Sequence, residues 1–281
     1  MTILDAAILG LVQGLTEFLP VSSSGHLVLF GQLLGLEAAA SDVLFDLILH
    51  LATLLAVVVV FARDLGRALA AGLRACLALP SRGLAAFGLG QPEAPGSEQE
   101  DAQLFLFVAV ATLPTGLIGV LGKEWFESLF ASPRLVAGAL LITAAILLST
   151  WPLRHRKGRT GLTLVDALVV GTVQGLAIVP GISRSGSTIA AALWRGIDAG
   201  RAARISFLMS LPAILGAVIL EARHAVLSSL DLVAVGTGAA VAFVSGVIAI
   251  LVVLRVLRWQ GFWVFGLYCV VAGLAGLLWL T

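Results

Sequence analysis

The sequence predicts an all-α polytopic membrane protein: six transmembrane helices plus two re-entrant helical hairpins, arranged as an inverted-topology repeat. Three observations lead there. Hydrophobic residues make up 59% of the chain and charged ones 12%, with a mean hydropathy of +1.07, so most of it has to lie in lipid. Six stretches are long and apolar enough to cross a core of about 30 Å, which takes roughly 20 helical residues. Finally, QGLTEFLPVSSSGH at 13–26 returns as QGLAIVPGISRSGS at 174–187, an offset of 161 residues (174 minus 13). Apolar–polar alternation at period two is absent, which argues against a transmembrane barrel.

Residues 1–281 read as one membrane domain in two repeats. The first, about 1–152, opens with a hairpin at 1–42 that is apolar but broken by Pro20 and Ser22 to Ser24, so each half is too short to span. Irregular backbone at membrane depth is tolerated only against protein or a water-filled cavity, which places a site at the break. The N-terminus, MTILDAAILG, lacks a basic flank and a small-residue cleavage site, so the first segment is expected to stay in the mature protein. Spans follow at 43–63, 104–122 and 134–152, with a cytoplasmic loop at 64–103. In that loop, LGRALAAGLRACLAL puts Arg67 and Arg74 on one helical face, as in a helix lying on the membrane surface, and FGLGQPEAPGSEQED reads as a mobile linker. The second repeat, about 162–281, has its hairpin at 162–200, broken at Pro180 and Gly181, and spans at 203–221, 232–254 and 262–280. Similarity continues past the hairpins, because LHLATLLAVVVVFAR at 49–63 resembles MSLPAILGAVILEAR at 209–223.

Charge placement sets the orientation. Arg63, Arg67, Arg74, Arg82, Arg154, Arg156, Lys157, Arg159, Arg195, Arg201, Arg204, Arg255 and Arg258 fall on one side of the traced spans, and Lys123, Arg134 and Arg223 on the other. By the positive-inside rule the larger set is cytoplasmic, which puts both termini outside. Three spans per repeat flip the second unit, so the hairpins enter from opposite faces and their tips meet near the midplane, as in many transporters. The net charge of +1 gives no indication of nucleic acid.

The mismatches between the two copies carry the chemistry. Glu17 and His26 stand where the second copy has Ile178 and Ser187, and Arg184 stands where the first has Ser23. Ionisable groups in lipid cost roughly 2.5–3.5 kcal/mol each on insertion scales, so these three need a compensating role. One hairpin then supplies proton chemistry and the other holds an anion. In the second tip a helix starting near Ser187 aims free N–H groups at the break, Arg184 adds a planar fork, Gly186 lets the chain turn, and Ser183, Ser185, Ser187 and Thr188 add hydroxyls, a set suited to phosphate. Ser22, Ser23, Ser24 and His26 form the opposing tip. Gln13, four residues before Glu17, shares its helical face, and Gln174 is its counterpart. Glu17 either activates a water or hydroxyl, or holds a divalent ion on phosphate oxygens. The plainer alternatives are a structural Glu–Arg pair and a Gly/Ser helix crossing.

Asp46 and His50, four apart at the start of the first span, either line the site or form a satisfied polar cluster. The tryptophans fall mostly near span ends, as an interfacial belt does, and Cys76 and Cys269 make no ligand cluster.

These residues resemble the undecaprenyl pyrophosphate phosphatase family, the bacterial enzymes linked to bacitracin resistance. Its first signature is matched by Gln13, Glu17, Pro20, Ser22 to Ser24, Gly25 and His26, and its second by Pro180 to Gly186, with Gln13 in place of a first acid. The resemblance covers essentially the whole chain. It implies hydrolysis of undecaprenyl pyrophosphate to the monophosphate and inorganic phosphate, recycling the lipid carrier of cell-envelope polymers such as peptidoglycan, with a divalent cation (Mg2+ or Ca2+). It also implies the bacterial cytoplasmic membrane and a polyprenyl pyrophosphate lipid whose tail stays among membrane lipids, with the site expected to open to the outer face; a homodimer is left open. Arg184 and Ser185 to Thr188 are then expected to hold phosphates, with Glu17 and His26 exchanging protons or binding metal. A phosphoserine at Ser23, a phosphohistidine at His26 and direct water attack all stay open. Type 2 phosphatidate phosphatases share SGH and SR elements but require a His where this chain has Ala190. The rival reading is a prenyl-phosphate flippase or transporter. An acid/base pair facing an anion cradle favours the hydrolase.

Overall fold

A computed structural model describes residues 1–33, 35, 43–82, 97–221 and 231–279, with backbone alone at 79–82 and 97. The end of the first expected hairpin, most of the expected linker, Arg223 and the last two residues lie outside the described residues. Among the described residues there are twelve α-helices, and the one pairing outside them is an isolated bridge between Arg159 and Ile197.

Helices α1 (Ile3–Phe18) and α2 (Ser23–Leu33) form the first helical pair, and each is too short to cross a bilayer. The N-cap Thr2 accepts from the Asp5 N–H while the Asp5 carboxylate accepts from the Thr2 N–H. Helix α3 (Val43–Val60) follows, then the amphipathic α4 (Ala62–Arg82), α5 (Ser97–Leu121), α6 (Lys123–Phe130) and α7 (Pro133–Leu148), which a 3₁₀ turn at Trp151–Leu153 extends. The second half opens with α8 (Leu164–Leu176) and α9 (Arg184–Trp194), where Thr163 and Asp166 repeat the capping box at the same offset. It continues with α10 (Ala199–Glu221), α11 (Leu232–Arg258) and α12 (Val264–Trp279).

Five elements are long and apolar enough to cross a membrane: Val43–Val60, Glu98–Leu121, Pro133–Leu153, Ala199–Glu221 and Leu232–Arg258. The sixth expected span corresponds to α12, an apolar helix of 16 described residues. One expectation needs correction. Residues 97–101, read as linker, are the first turn and a half of α5; acids suit a helix start, and here Glu98, Glu100 and Asp101 also meet Arg74 at 3.1 Å, Arg201 at 3.3 Å and Arg67 at 3.7 Å. Between the second and third expected spans lies α6, whose buried Phe126 packs under Gly122.

Packing partners correspond between the halves. Helix α1 lies along α11 as α8 lies along α5; α3 also packs on α11 as α10 packs on α5. In each first helix a pair of glycines makes the crossing possible. A Cβ on Gly10 or Gly14 would fall 2.3 Å from the Gly238 carbonyl or 2.4 Å from that of Ala242, and one on Gly171 would fall 2.2 Å from the Ala111 carbonyl. Beneath the tips, Phe18 meets Phe207 edge-on at 5.7 Å and Phe207 meets Phe61 at the same spacing, a buried apolar floor.

Candidate active site

The two tips are built alike. Ser22 Oγ accepts from the Gly25 N–H at 3.2 Å and Ser183 Oγ from the Gly186 N–H at 3.0 Å, and each serine contacts the hydroxyl two residues on, Ser24 or Ser185, at 3.3 Å. Each cap therefore directs the first N–H groups of a short helix at the break, where intrahelical acceptors do not exist. The tips touch: a Cβ on Gly25 would lie 3.1 Å from Gly181 Cα, and one on Gly186 would lie 3.1 Å from Pro20 Cβ. Thr143 of α7 clamps the second tip by donating to the Gly181 carbonyl at 2.8 Å and accepting from the Ser183 N–H at 3.0 Å. Gly181 has φ +91°, a conformation that suits glycine, and Val136 leaves no room for a side chain there.

Glu17 sits where these elements converge, buried at the last turn of α1. Its Oε1 is paired with Arg184 Nη2. Its Oε2 accepts from Ser23 Oγ at 2.7 Å and from Gln13 Nε2 at 3.1 Å, and faces His50 Nε2 at 3.9 Å. Ser23 and Arg184 are each the first residue of their helix, so equivalent positions of the two hairpins address opposite oxygens of one carboxylate. The buried Gln13 Oε1 has no hydrogen-bond partner among the described residues. Removing such an acceptor from water costs roughly 1–3 kcal/mol, which fits a polar cavity that a ligand or water enters.

The remaining predicted residues divide. His26, buried in α2, has Nδ1 2.8 Å from the Ser22 carbonyl and Nε2 2.8 Å from Tyr268 Oη of α12, whose ring stacks on it. A carbonyl only accepts, so Nδ1 carries the hydrogen and Nε2 accepts from the tyrosine. Thr188 Oγ1 is engaged with Ser206 at 2.6 Å and with the Arg184 carbonyl at 2.8 Å, and Gln174 Nε2 donates to Thr115 Oγ1 at 3.2 Å. Ser187 Oγ and Gln174 Oε1 are buried with no hydrogen-bond partner among the described residues. Of the residues left open in the sequence, His50 joins the Glu17 cluster. Tyr268 escaped sequence reading, because a single tyrosine in an apolar helix carries no local signal of its partner. An apolar cavity of about 340 Å³ lies instead among α4, α5 and α10, lined by residues such as Leu69, Phe105, Val108 and Leu211.

The donor set does not make a resident cation site. Both Glu17 oxygens already accept from or pair with donors, an amide stands at position 13, and no group of three potential ligands occurs among the described residues. Asp46 and Glu17 address opposite nitrogens of the His50 ring and so face away from a common centre.

The bacitracin resistance protein BacA family model matches residues 6–275. The chain is 44% identical over 277 residues to an undecaprenyl-diphosphatase of Desulfatibacillum aliphaticivorans, covering 96% of each. It is 41% identical to an undecaprenyl-diphosphatase of Salinibacter ruber over the full length of both, and 39% identical to one of Korarchaeum cryptofilum over 98% of both.

Proposed function

The chain belongs to the bacitracin resistance protein BacA family, and from that premise we propose that it hydrolyses undecaprenyl pyrophosphate to undecaprenyl phosphate and inorganic phosphate. One observation carries the mechanism: a single buried carboxylate holds the Ser23 hydroxyl on one oxygen and the Arg184 guanidinium on the other. The guanidinium fork and the first N–H groups of α9 receive the terminal phosphate, with the hydroxyls of Ser183, Ser185 and Ser187 around it and those of Ser22 and Ser24 opposite. Glu17 takes the proton of Ser23 as its Oγ attacks phosphorus and the prenyl phosphate leaves. Glu17 then activates the water that hydrolyses the phosphoserine. A nucleophilic His26 fits less well, since Tyr268 occupies its free nitrogen, and Thr188 supports α9 from behind through Ser206.

A divalent cation, in this reading, enters as counter-ion of the pyrophosphate. The isoprenoid tail stays in the bilayer while its head reaches the tips. The inverted repeat, the re-entrant hairpins, the cytoplasmic membrane and external termini with the site open outward are part of the same proposal. The exchanged packing of the halves and the one-sided placement of basic residues support it. A pure transporter is not favoured, because binding alone gives no reason for a carboxylate to hold a serine hydroxyl.

The direct test is phosphate release from undecaprenyl pyrophosphate by purified protein in detergent, with and without EDTA. Turnover is expected, and wild-type protein that releases none under any cation condition overturns the reading. Flux of a labelled prenyl phosphate into proteoliposomes without phosphate release would establish the carrier instead.

A further inference from the structure

Besides Arg184, His50 is the ionisable side chain that the described residues bring beside Glu17. Asp46 and His50 lie one turn apart in the first two turns of α3. His50 Nδ1 is 2.9 Å from the Asp46 carbonyl oxygen and 3.3 Å from its carboxylate Oδ2. Because the carbonyl can only accept, Nδ1 carries the hydrogen, and in the neutral form of the ring Nε2 presents a lone pair. That lone pair faces Glu17 Oε2, the oxygen that receives the Ser23 hydroxyl. Side-chain exposure rises along the series, from 5% for Glu17 to 27% for His50 and 39% for Asp46. Of the helices packed on α3, namely α1, α4, α10 and α11, the one that turns a charged group to His50 among the described residues is α1, with Glu17, and Arg184 of α9 stands behind that carboxylate.

The reaction proposed above needs such a path. Glu17 accepts one proton when Ser23 attacks and a second when water attacks the phosphoserine, but returns only one, to Ser23 as it leaves. The other product, prenyl phosphate, departs as an anion and takes no proton. Glu17 must therefore be emptied once per turnover, between the two half-reactions. Its other neighbours, Arg184, Gln13 and Ser23, are already donors to it. We propose that His50, oriented by Asp46, relays this proton from Glu17 outward, as a positioning and relay residue that does not touch substrate. Either a small side-chain rotation or one bridging water closes the 3.9 Å gap.

The inference rests on the proposed hydrolysis, so the experiment separates the two. Purified full-length protein is assayed with undecaprenyl pyrophosphate as wild type, His50→Ala, His50→Gln, Asp46→Asn and Glu17→Gln. His50→Ala and His50→Gln are expected to lose on the order of 10–100-fold in kcat with KM within about twofold. Added imidazole is expected to restore kcat in His50→Ala and not in His50→Gln, where the side chain fills the space. Unchanged kcat, or a loss confined to KM, overturns the relay, as does a folded His50→Ala that imidazole leaves unaltered. If His50→Ala does not fold, Asp46→Asn decides: the relay requires a lower kcat and an altered pH profile, and a wild-type profile overturns it. A wild type without phosphate release, or an active Glu17→Gln, removes the underlying mechanism instead.

Discussion

The two hairpins share a scaffold and differ in what they carry. Each starts on a Thr–Asp capping box, crosses its neighbour on a glycine pair, caps its second helix with a serine and turns at a tip that touches the other. At the first position of that second helix, one copy has Ser23 and the other Arg184, and Glu17 binds both. They are also anchored differently. Asp166, fully buried at the base of α8, pairs with Arg159 and Arg195 at 2.7 Å each, whereas its counterpart Asp5 is half-buried and has Thr2 as its partner. The second hairpin is thus fixed by ion pairs at its base and by Thr143 at its tip, and the first is held near its tip by the Glu17–Arg184 pair and the His26–Tyr268 contact. In the proposed reaction, divergence at three positions is what turns a repeated backbone into a site.

The strongest way to break this comparison is to remove either half of the pair. Glu17→Gln and Arg184→Ala should each lower phosphate release by at least about 10³-fold while the protein stays monodisperse in detergent. Exchanging the pair, Glu17→Arg with Arg184→Glu, restores opposite charges but leaves Ser23 without its base, so it should stay inactive. Activity in the exchanged protein would show that the pair is structural and the asymmetry without consequence. Ser23→Ala comes next, with a loss of about 10²–10³-fold expected if its oxygen attacks phosphorus. Retention of more than roughly a tenth of turnover would move attack to water.

The sequence showed the duplication, Glu17 and Arg184, because polar residues stand out in a lipid-grade background. The acids of 97–101 misled it, since composition alone cannot tell a linker from the first turn of α5 when the arginines they meet come from α4 and α10. Tyr268 was invisible for a related reason, as its partner His26 lies 242 residues away. His50 was half legible: its spacing from Asp46 fixed a shared face, and the approach to Glu17 depends on how α3 packs on α1.

The difference in anchoring gives smaller effects. Asp166→Ala leaves two arginines without their carboxylate and should cost about 2–3 kcal/mol, read as lowered thermal stability in detergent. Asp5→Ala should change stability little. Equal losses at the two sites would mean that the hairpins are held alike.

The smallest effect tests the tips themselves. Ser22 and Ser183 both cap a helix, and losing such a cap costs about 1 kcal/mol. Their backbones differ: Ser22 has φ +72°, where a side chain is strained, and Ser183 has φ −75°, where it is not. Glycine at position 22 therefore loses the hydroxyl acceptor, which costs a cap only a few tenths of a kcal/mol, and relieves strain of about 1 kcal/mol. Ser22→Gly should be slightly stabilised and Ser183→Gly slightly destabilised. Alanine should remove the difference, because it forfeits the cap at both positions and leaves the strain at 22 as it is with serine. If glycine and alanine behave alike at each site, the left-handed turn at Ser22 is not what sets the first tip apart, and the divergence between the hairpins lies in their side chains only.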